Sequence, residues 1–541
     1  MQGLVTKGLI VSLAFGSLTL TAQSDQQLGE RWWQHVKVLA DDKMEGRETG
    51  SPGMKRAAEY VVSQLKKSGV KPAGTNGYYQ PVKLVKRTLD ESQSSLTLVR
   101  EGKDVPVKLG DEAIFSTRVD LAPSVEAPLV FVGYGIKVPE KNYDDFADVD
   151  VKGKIAVYIS GAPAEIPGDL ASHYQSAAER WKALKAAGAT GTIGIPNPAA
   201  MDIPWPRIMV SRLQPSMKLA DPGFNETDGW QLSATWNPDV ADKLLEGTGH
   251  SAADLFALVK DRKPLPHFAL NASARAKTKL AYSDVESFNL VGKLEASDPK
   301  LKAENVVLTA HLDHVGVGQP VAANPNDRIY NGAMDNGSGS AVLLEVARRI
   351  KEQKIDHKRT LLFVFVTAEE KGLLGSRYFA KRPTVSKETI VADVNTDMFL
   401  PINPPKSIIV RGMAESDLGD WARAAVEKAG AKAQTDPAPE RNSFIRSDQY
   451  NFIREGIPAV VMSIGFEKGS PEEQNVQKWL KERYHAPSDD LDQPVNFEAA
   501  GKYEEILTNL AIAAANAEHR PEWKQSSFFK RFANTGTNSG K

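Results

Sequence analysis

The sequence predicts an α/β fold: a central β-sheet covered by helices on both faces and interrupted by a β-rich insertion. Three observations carry that reading. Thr360 to Thr367 (TLLFVFVT) is apolar on both faces, as a strand at the centre of a sheet covered on each side must be. From about residue 280 onward, strand, loop and helix patterns alternate. Between about 115 and 275 the texture changes to short apolar runs separated by Gly- and Pro-rich turns, which reads as a separate, mostly β module.

The elements follow in chain order. Lys7 and the apolar stretch Gly8 to Ala22, followed by polar Gln23-Ser24-Asp25, read as a cleaved export signal over residues 1–22. The stretch is short for a membrane span, and no other segment is long and apolar enough for one. Trp32, Trp33, Val36 and Leu39 recur at helical spacing, Asp41 to Gly53 (DDKMEGRETGSPG) is a polar loop, and Met54 to Ser68 resumes a helix that Gly69 ends. Tyr78 to Leu84 alternates like a strand.

In the insertion, Pro128–Val132 and Lys154–Ile159 are strand-like and Ser176 to Ala187 is helical. Beyond it, Asn305 to Ala310 is a buried strand, Ser338 to Ile350 a helix, Pro458 to Ile464 a strand and Phe497 to Ala517 a closing helix. Residues 521–541 read as a loose polar tail. The organisation expected is 1–22 signal, 23–114 first part of the main domain, 115–275 insertion, 276–520 remainder of the main domain with the site, and 521–541 tail.

The chain has 541 residues, too many for one ordinary core. Apolar content of 41% and charged content of 25% are those of a globular protein. A formal net charge of -1 gives no basis for a nucleic-acid or anionic-membrane partner. The absence of cysteine excludes disulfides, thiolate metal ligands and a cysteine nucleophile. Export without disulfides suits a periplasmic or secreted protein.

Chemistry-bearing side chains gather at the ends of apolar runs. His311 follows the strand Val306–Ala310, with Asp313 and His314 just after it, where open α/β sheets place their sites. Alone, this His-Leu-Asp-His string serves equally as a solvated loop. Asp335 sits in Asn331-Gly332-Ala333-Met334-Asp335-Asn336-Gly337-Ser338-Gly339 before a helix, a segment that reads as well as a capping turn. The neighbours Glu369 and Glu370 follow Phe363–Ala368. Two adjacent carboxylates repel and are costly to desolvate, unless they are exposed acids at a helix N-terminus. Asp397 ends the run from Ile390, and His485 lies in Tyr-His-Ala-Pro-Ser-Asp-Asp. Together they supply ligands for two zinc ions and leave one carboxylate as a base.

These segments in this order (HLDH, GAMDN, EE with GLLGS, NTDM, YHAPSDD) resemble the zinc-dependent aminopeptidase family that includes aminopeptidase Y and bacterial leucyl aminopeptidases. The resemblance covers the helical N-terminal part with its EGRETGS loop and residues from about 280 to 515. The middle section, with Phe131-Val132-Gly133-Tyr134-Gly135 and Val151-Lys152-Gly153-Lys154, looks like the protease-associated domain inserted in many members.

The resemblance implies a zinc exopeptidase fold with a mixed central sheet and two Zn²⁺ ions about 3.5–4 Å apart sharing a water. It implies His311 and Asp397 on one zinc, Glu370 and His485 on the other, and Asp335 bridging. Glu369 would be the general base, Asp313 would orient His311, and Tyr484 would donate to the scissile carbonyl. Ser447-Asp448-Gln449-Tyr450 departs from the family's more frequent Ser-Asp-His, which removes an imidazole there but touches no metal ligand.

The activity implied is hydrolysis of the N-terminal peptide bond of peptides with a free N-terminus. Three other readings stay open: a carboxypeptidase or dipeptidase of the same fold, a single-zinc glutaminyl cyclase, and a non-catalytic receptor-like scaffold. Oligomeric state and the preferred N-terminal residue are not legible.

Overall fold

The computed structural model describes residues 24–441 and 443–533; the expected signal segment at 1–22 lies outside them. The frame is a ten-stranded mixed sheet. Its centre is four parallel strands in the order Thr360–Val366, Asn305–His311, Ile390–Asn395 and Ala459–Ile464. Antiparallel strands flank them: Leu280–Leu294 and Tyr79–Leu89 on one side, Ser407–Arg411 on the other.

The double-sided apolar pattern of Thr360–Val366 is used as its sequence predicts. Leu361, Phe363 and Phe365 join the larger core, built with the helices Asp25–Leu39, Pro52–Lys67, Gly339–Glu352 and Phe497–Asn516. Leu362, Val364 and Val366 face the opposite core, with Phe379 and Ala380 of Leu374–Lys381 and Phe452 and Ile453 of Gln449–Arg454. Alternate residues point to opposite faces, so a strand apolar throughout requires both faces covered.

Local signals set the helix starts. Ser24 accepts from the Gln27 N–H and Gln27 returns the bond, and Ser51 caps a helix that opens on Pro52.

A second, eight-stranded sheet draws on strands from Ser95–Arg100 to His267–Lys277, so it begins before the compositional change at 115. Four of its strands run parallel: Ser124–Val132, Ile155–Ile159, Gly191–Ile195 and Leu232–Trp236. Parallel neighbours need a crossover, and Ala177–Ala186 supplies one between Ile155–Ile159 and Gly191–Ile195. This is the helix expected over Ser176 to Ala187. The module is also tied to the main sheet, because Ser216–Leu219 pairs with Tyr79–Leu89 as an edge strand.

Residues 521–533 depart from the loose polar tail expected over 521–541, whose remainder lies outside the described residues. Trp523 and Phe529 are buried against the core face built by Phe452 and Ile453. Trp523, Phe528, Phe529 and Phe532 stand among polar residues in a segment too short to announce a buried element, so composition alone hides their packing.

Candidate metal centre

Parallel pairing brings the carboxyl ends of the central strands to one edge of the sheet. His311 is the last residue of Asn305–His311 and lies in register with Val366, three residues before Glu369. Asn395 ends the strand on the other side, two residues before Asp397. Asp335 enters from the turn before Gly339–Glu352, and His485 from the segment after Pro471–Glu482.

The side chains converge. His311 Nε2 lies 3.2 Å from Asp335 Oδ1 and 3.3 Å from Asp397 Oδ1. His485 Nε2 lies 3.1 Å from both Asp335 Oδ2 and Glu370 Oε2. Asp335 thus offers one oxygen to each histidine. Ligand atoms of His311, Glu369 and Asp397 all fall within 4.8 Å of one another, as do those of His314, Asp335 and Glu370. Every site residue expected from the sequence is at or beside this point. Among the described residues, neither of these ligand groups draws on the section 115–275.

Several non-glycine positions in this region hold left-handed backbone, among them Ala368 before the Glu pair, Met398 after Asp397, and His485 itself. Such conformations cost on the order of 1–3 kcal/mol each and persist where the surroundings over-determine them. Gly332 meets a true glycine requirement. It has φ 60°, and a Cβ there would lie 2.2 Å from Asp335 O and 2.5 Å from the His314 ring.

Surrounding bonds fix the ligand loops. Asn336 accepts from the Gly339 N–H at 2.9 Å and donates to Thr396 O at 2.9 Å, tying the Asp335 turn to the strand that leads to Asp397. Asp489 accepts from the N–H groups of Met334 and Asp335, both at 2.9 Å. Arg47 is fully buried and donates to Leu39 O, Leu312 O, Asn331 O and Gly332 O.

Asp313 does its orienting through the main chain. His311 Nδ1 lies 3.0 Å from the Asp313 carbonyl oxygen, while the Asp313 carboxylate accepts from the Glu369 N–H at 3.1 Å and from Thr49 Oγ1 at 3.0 Å. The carboxylate expected to hold the imidazole holds the Glu369 backbone instead. Gln449, which replaces the family's histidine, is buried, accepts from Asn395 and donates to Phe444 O.

Three participants escaped the sequence reading. His314 Nδ1 lies 2.7 Å from Glu370 Oε1; its only signal was adjacency in the HLDH string. Asp489 and Arg47 stood inside recognised motifs, but their contacts are with backbone that no spacing rule exposes.

The electrostatics are those of a cation site. Burial disfavours charge on His311 and His485. Asp397 and Glu369 nevertheless hold the first well above the usual imidazole range, and Glu370 the second. Burial opposes charge on Glu370 too, and His485 and His314 hold it well below the carboxylate range. Glu369 moves the other way: burial pushes it well up, helped by Glu370 and Asp397. Two neighbouring glutamates thus part in opposite directions.

The donor set fits divalent metal. Glu370 Oε1 and both His314 nitrogens are buried without a hydrogen bond of proper geometry, despite the 2.7 Å approach. Mixed imidazole and carboxylate donors suit zinc. The carboxylates that keep protons on the histidines would hold cations in their place.

Comparison with known proteins agrees with this geometry. The model of peptidase family M28 matches residues 289–511. Aminopeptidase YwaD of Bacillus subtilis (strain 168) is 28% identical over 260 residues, 47% of this chain and 50% of that protein. Carboxypeptidase Q of Rattus norvegicus is 34% identical over 122 residues, 22% of this chain and 23% of that protein. The matched segments thus span a quarter to a half of these relatives. Among solved structures, an aminopeptidase from Aneurinibacillus sp. strain AM-1 superposes with a TM-score of 0.55 at 20% identity, covering 92% of this chain and 97% of that one, a likeness of fold.

Proposed function

We propose that this chain, whose residues 289–511 match the model of peptidase family M28, is an exported dizinc metallo-aminopeptidase with Glu369 as general base. One observation carries the reading: the two oxygens of Asp335 face two different histidines, at 3.2 and 3.1 Å. A single carboxylate shared this way suits two cations side by side. His311 and Asp397 would hold one, Glu370 and His485 the other, and Asp335 both.

When bound, such a pair supplies Lewis-acid polarisation of the scissile carbonyl and a more acidic water. The chain's own residues do the rest. Glu369 takes the proton of the attacking water and delivers it to the leaving amine. Its carboxyl, pushed up by burial, has the affinity for a proton that this task needs. Burial pushes the Tyr484 phenol up to about 12, so it stays protonated at neutral pH and can donate to the substrate carbonyl. The Asp313 carbonyl fixes the ring of His311, and Asp489 fixes the turn that carries Asp335.

Aminopeptidase YwaD supports the aminopeptidase reading by its name. Carboxypeptidase Q keeps a carboxypeptidase or dipeptidase as the second reading. The inserted module is proposed to be a protease-associated domain. Export rests on the N-terminal sequence; among the described residues no helix is long and apolar enough to cross a membrane.

A panel of aminoacyl-anilides, N-blocked peptides and substrates open only at the C-terminus, with and without phenanthroline, tests the assignment. Hydrolysis of the free-amine substrates alone is expected, lost with chelator and restored by zinc. Full activity in protein shown metal-free by elemental analysis would end the metallopeptidase reading. Cleavage of N-blocked substrates at the C-terminus would select the second reading.

A further inference from the structure

The metal cluster opens into a cavity of about 750 Å³ whose lining is rich in one residue type. Seven arginines and no lysine line it, in a chain whose formal net charge is -1. Apart from the metal-cluster acids, the lining carboxylates are Asp202 and Glu226.

Each of these two acids is shared by two guanidinium groups. Asp202, contributed by the inserted module, pairs with Arg441 at 2.7 Å and Arg446 at 3.0 Å. Glu226 pairs with Arg377 at 3.1 Å and Arg454 at 2.5 Å. Each trio keeps one positive charge. Arg118 donates to Glu370 O and Arg180 to Gln175 O; among the described residues neither has a carboxylate within ion-pair distance. The four acids of the metal cluster match the charge of two divalent cations, so they do not consume this surplus.

Arg446 is one guanidinium placed to meet a substrate. Its side chain is half exposed, and it shares the cavity with Tyr484 and Glu369. A guanidinium fork held by one carboxylate still has donors to present, and its geometry matches a second carboxylate.

We propose that this arginine wall, with Arg446 at its centre, selects substrates that carry a carboxylate close to the scissile bond. The carboxylate would be an acidic side chain or the C-terminus of a very short peptide. The inserted module, through Asp202, orients the fork. This rests on the peptidase reading of the same site for its substrate, but not for its charge.

The test uses the zinc-loaded full chain, its Arg446→Ala and Asp202→Asn variants, and two kinds of measurement. In the first, kcat/KM is compared for glutamyl- against glutaminyl-anilide, and for Leu-Leu against Leu-Leu-amide. Arg446→Ala is expected to reduce the carboxylate-bearing member of a pair about 10–100-fold more than its neutral partner. The first pair responds if the side chain is the target, the second if the C-terminus is. Asp202→Asn removes the charge but keeps an amide oxygen that can hold the fork, so it should keep the preference, whereas a merely structural role for the ion pair would make both variants fail alike.

In the second measurement, calorimetric binding of L-glutamate against L-glutamine needs no turnover. If no peptide is cleaved yet glutamate binds better and Arg446→Ala removes the difference, the wall stands and the peptidase reading falls. Equal treatment of acid and amide in both measurements, or an equal loss for all ligands in Arg446→Ala, would overturn the proposal.

Discussion

Glu369→Ala is expected to retain both metal ions and lose about 10²–10⁴-fold in kcat, the usual contribution of a general base. The loss would lie at the upper end, because the same carboxyl also serves the leaving amine. Glu370→Ala is expected to behave differently. Glu370 approaches His485 at 3.1 Å and His314 at 2.7 Å, and both its oxygens are used by the cluster. Its removal should empty one metal position and lower the melting temperature as well as the rate.

With free zinc at 100 times the dissociation constant, loss of one site would remove about 2.7 kcal/mol of stability. The opposite pKa directions of the two glutamates support this division: one carboxyl is arranged to carry a proton and the other to stay ionised. Glu369 also falls within 4.8 Å of the donor atoms of His311 and Asp397, so metal content is the deciding quantity. Elemental analysis and melting curves on both variants settle it. If Glu369→Ala loses a metal while Glu370→Ala keeps both, the roles are reversed.

What the sequence shows of this site, and what it hides, follows from where the information is stored. Strand Thr360–Val366 was legible because alternation and burial are periodic properties, and both faces were apolar. The ligands were legible because they sit at fixed offsets from such strands: His311 at a strand's end, Asp397 two residues beyond one, Glu369 three beyond another.

Contacts from side chain to backbone were not legible. The Asp313 carboxylate spends itself on Thr49 and the Glu369 N–H, and its own carbonyl meets His311, a distinction that no residue type encodes. Trp523 and Phe529 were hidden for a related reason. A short aromatic cluster in a polar stretch has too few residues to set a period, and only the assembled core offers it a surface. The first strands of the second sheet, from Ser95, stand before the change in composition because they are short and half-exposed.

Arg47→Ala is expected to cost about 3–5 kcal/mol, because it leaves four buried carbonyl oxygens without their donor, at about 1–3 kcal/mol for each that stays unsatisfied. That is a large share of the roughly 5–15 kcal/mol by which a domain is held folded. Arg47 is inaccessible to solvent, yet among the described residues it has no carboxylate within ion-pair distance. Burial lowers its pKa to about 10, partly offset by Asp489, Asp335, Asp313 and Glu370, so it stays charged at neutral pH. Its fork instead collects carbonyl oxygens: Leu39 at 2.5 Å, Asn331 at 2.6 Å, and Leu312 and Gly332 at 2.9 Å.

Leu312 follows His311, and Asn331 and Gly332 begin the turn to Asp335. One side chain therefore fastens the two loops that bear the first histidine and the shared carboxylate. Arg47→Lys keeps the charge but offers a compact ammonium with fewer donors, and should recover only part of the loss. Because the ligand loops are what come loose, zinc affinity should fall too, by about 10–100-fold as for other residues that orient metal ligands. Urea unfolding of the metal-free and zinc-loaded forms, with zinc titration of each variant, separates the two effects. A cost below about 1 kcal/mol in the metal-free protein, with zinc affinity unchanged, would mean that the loops hold their places without this clamp.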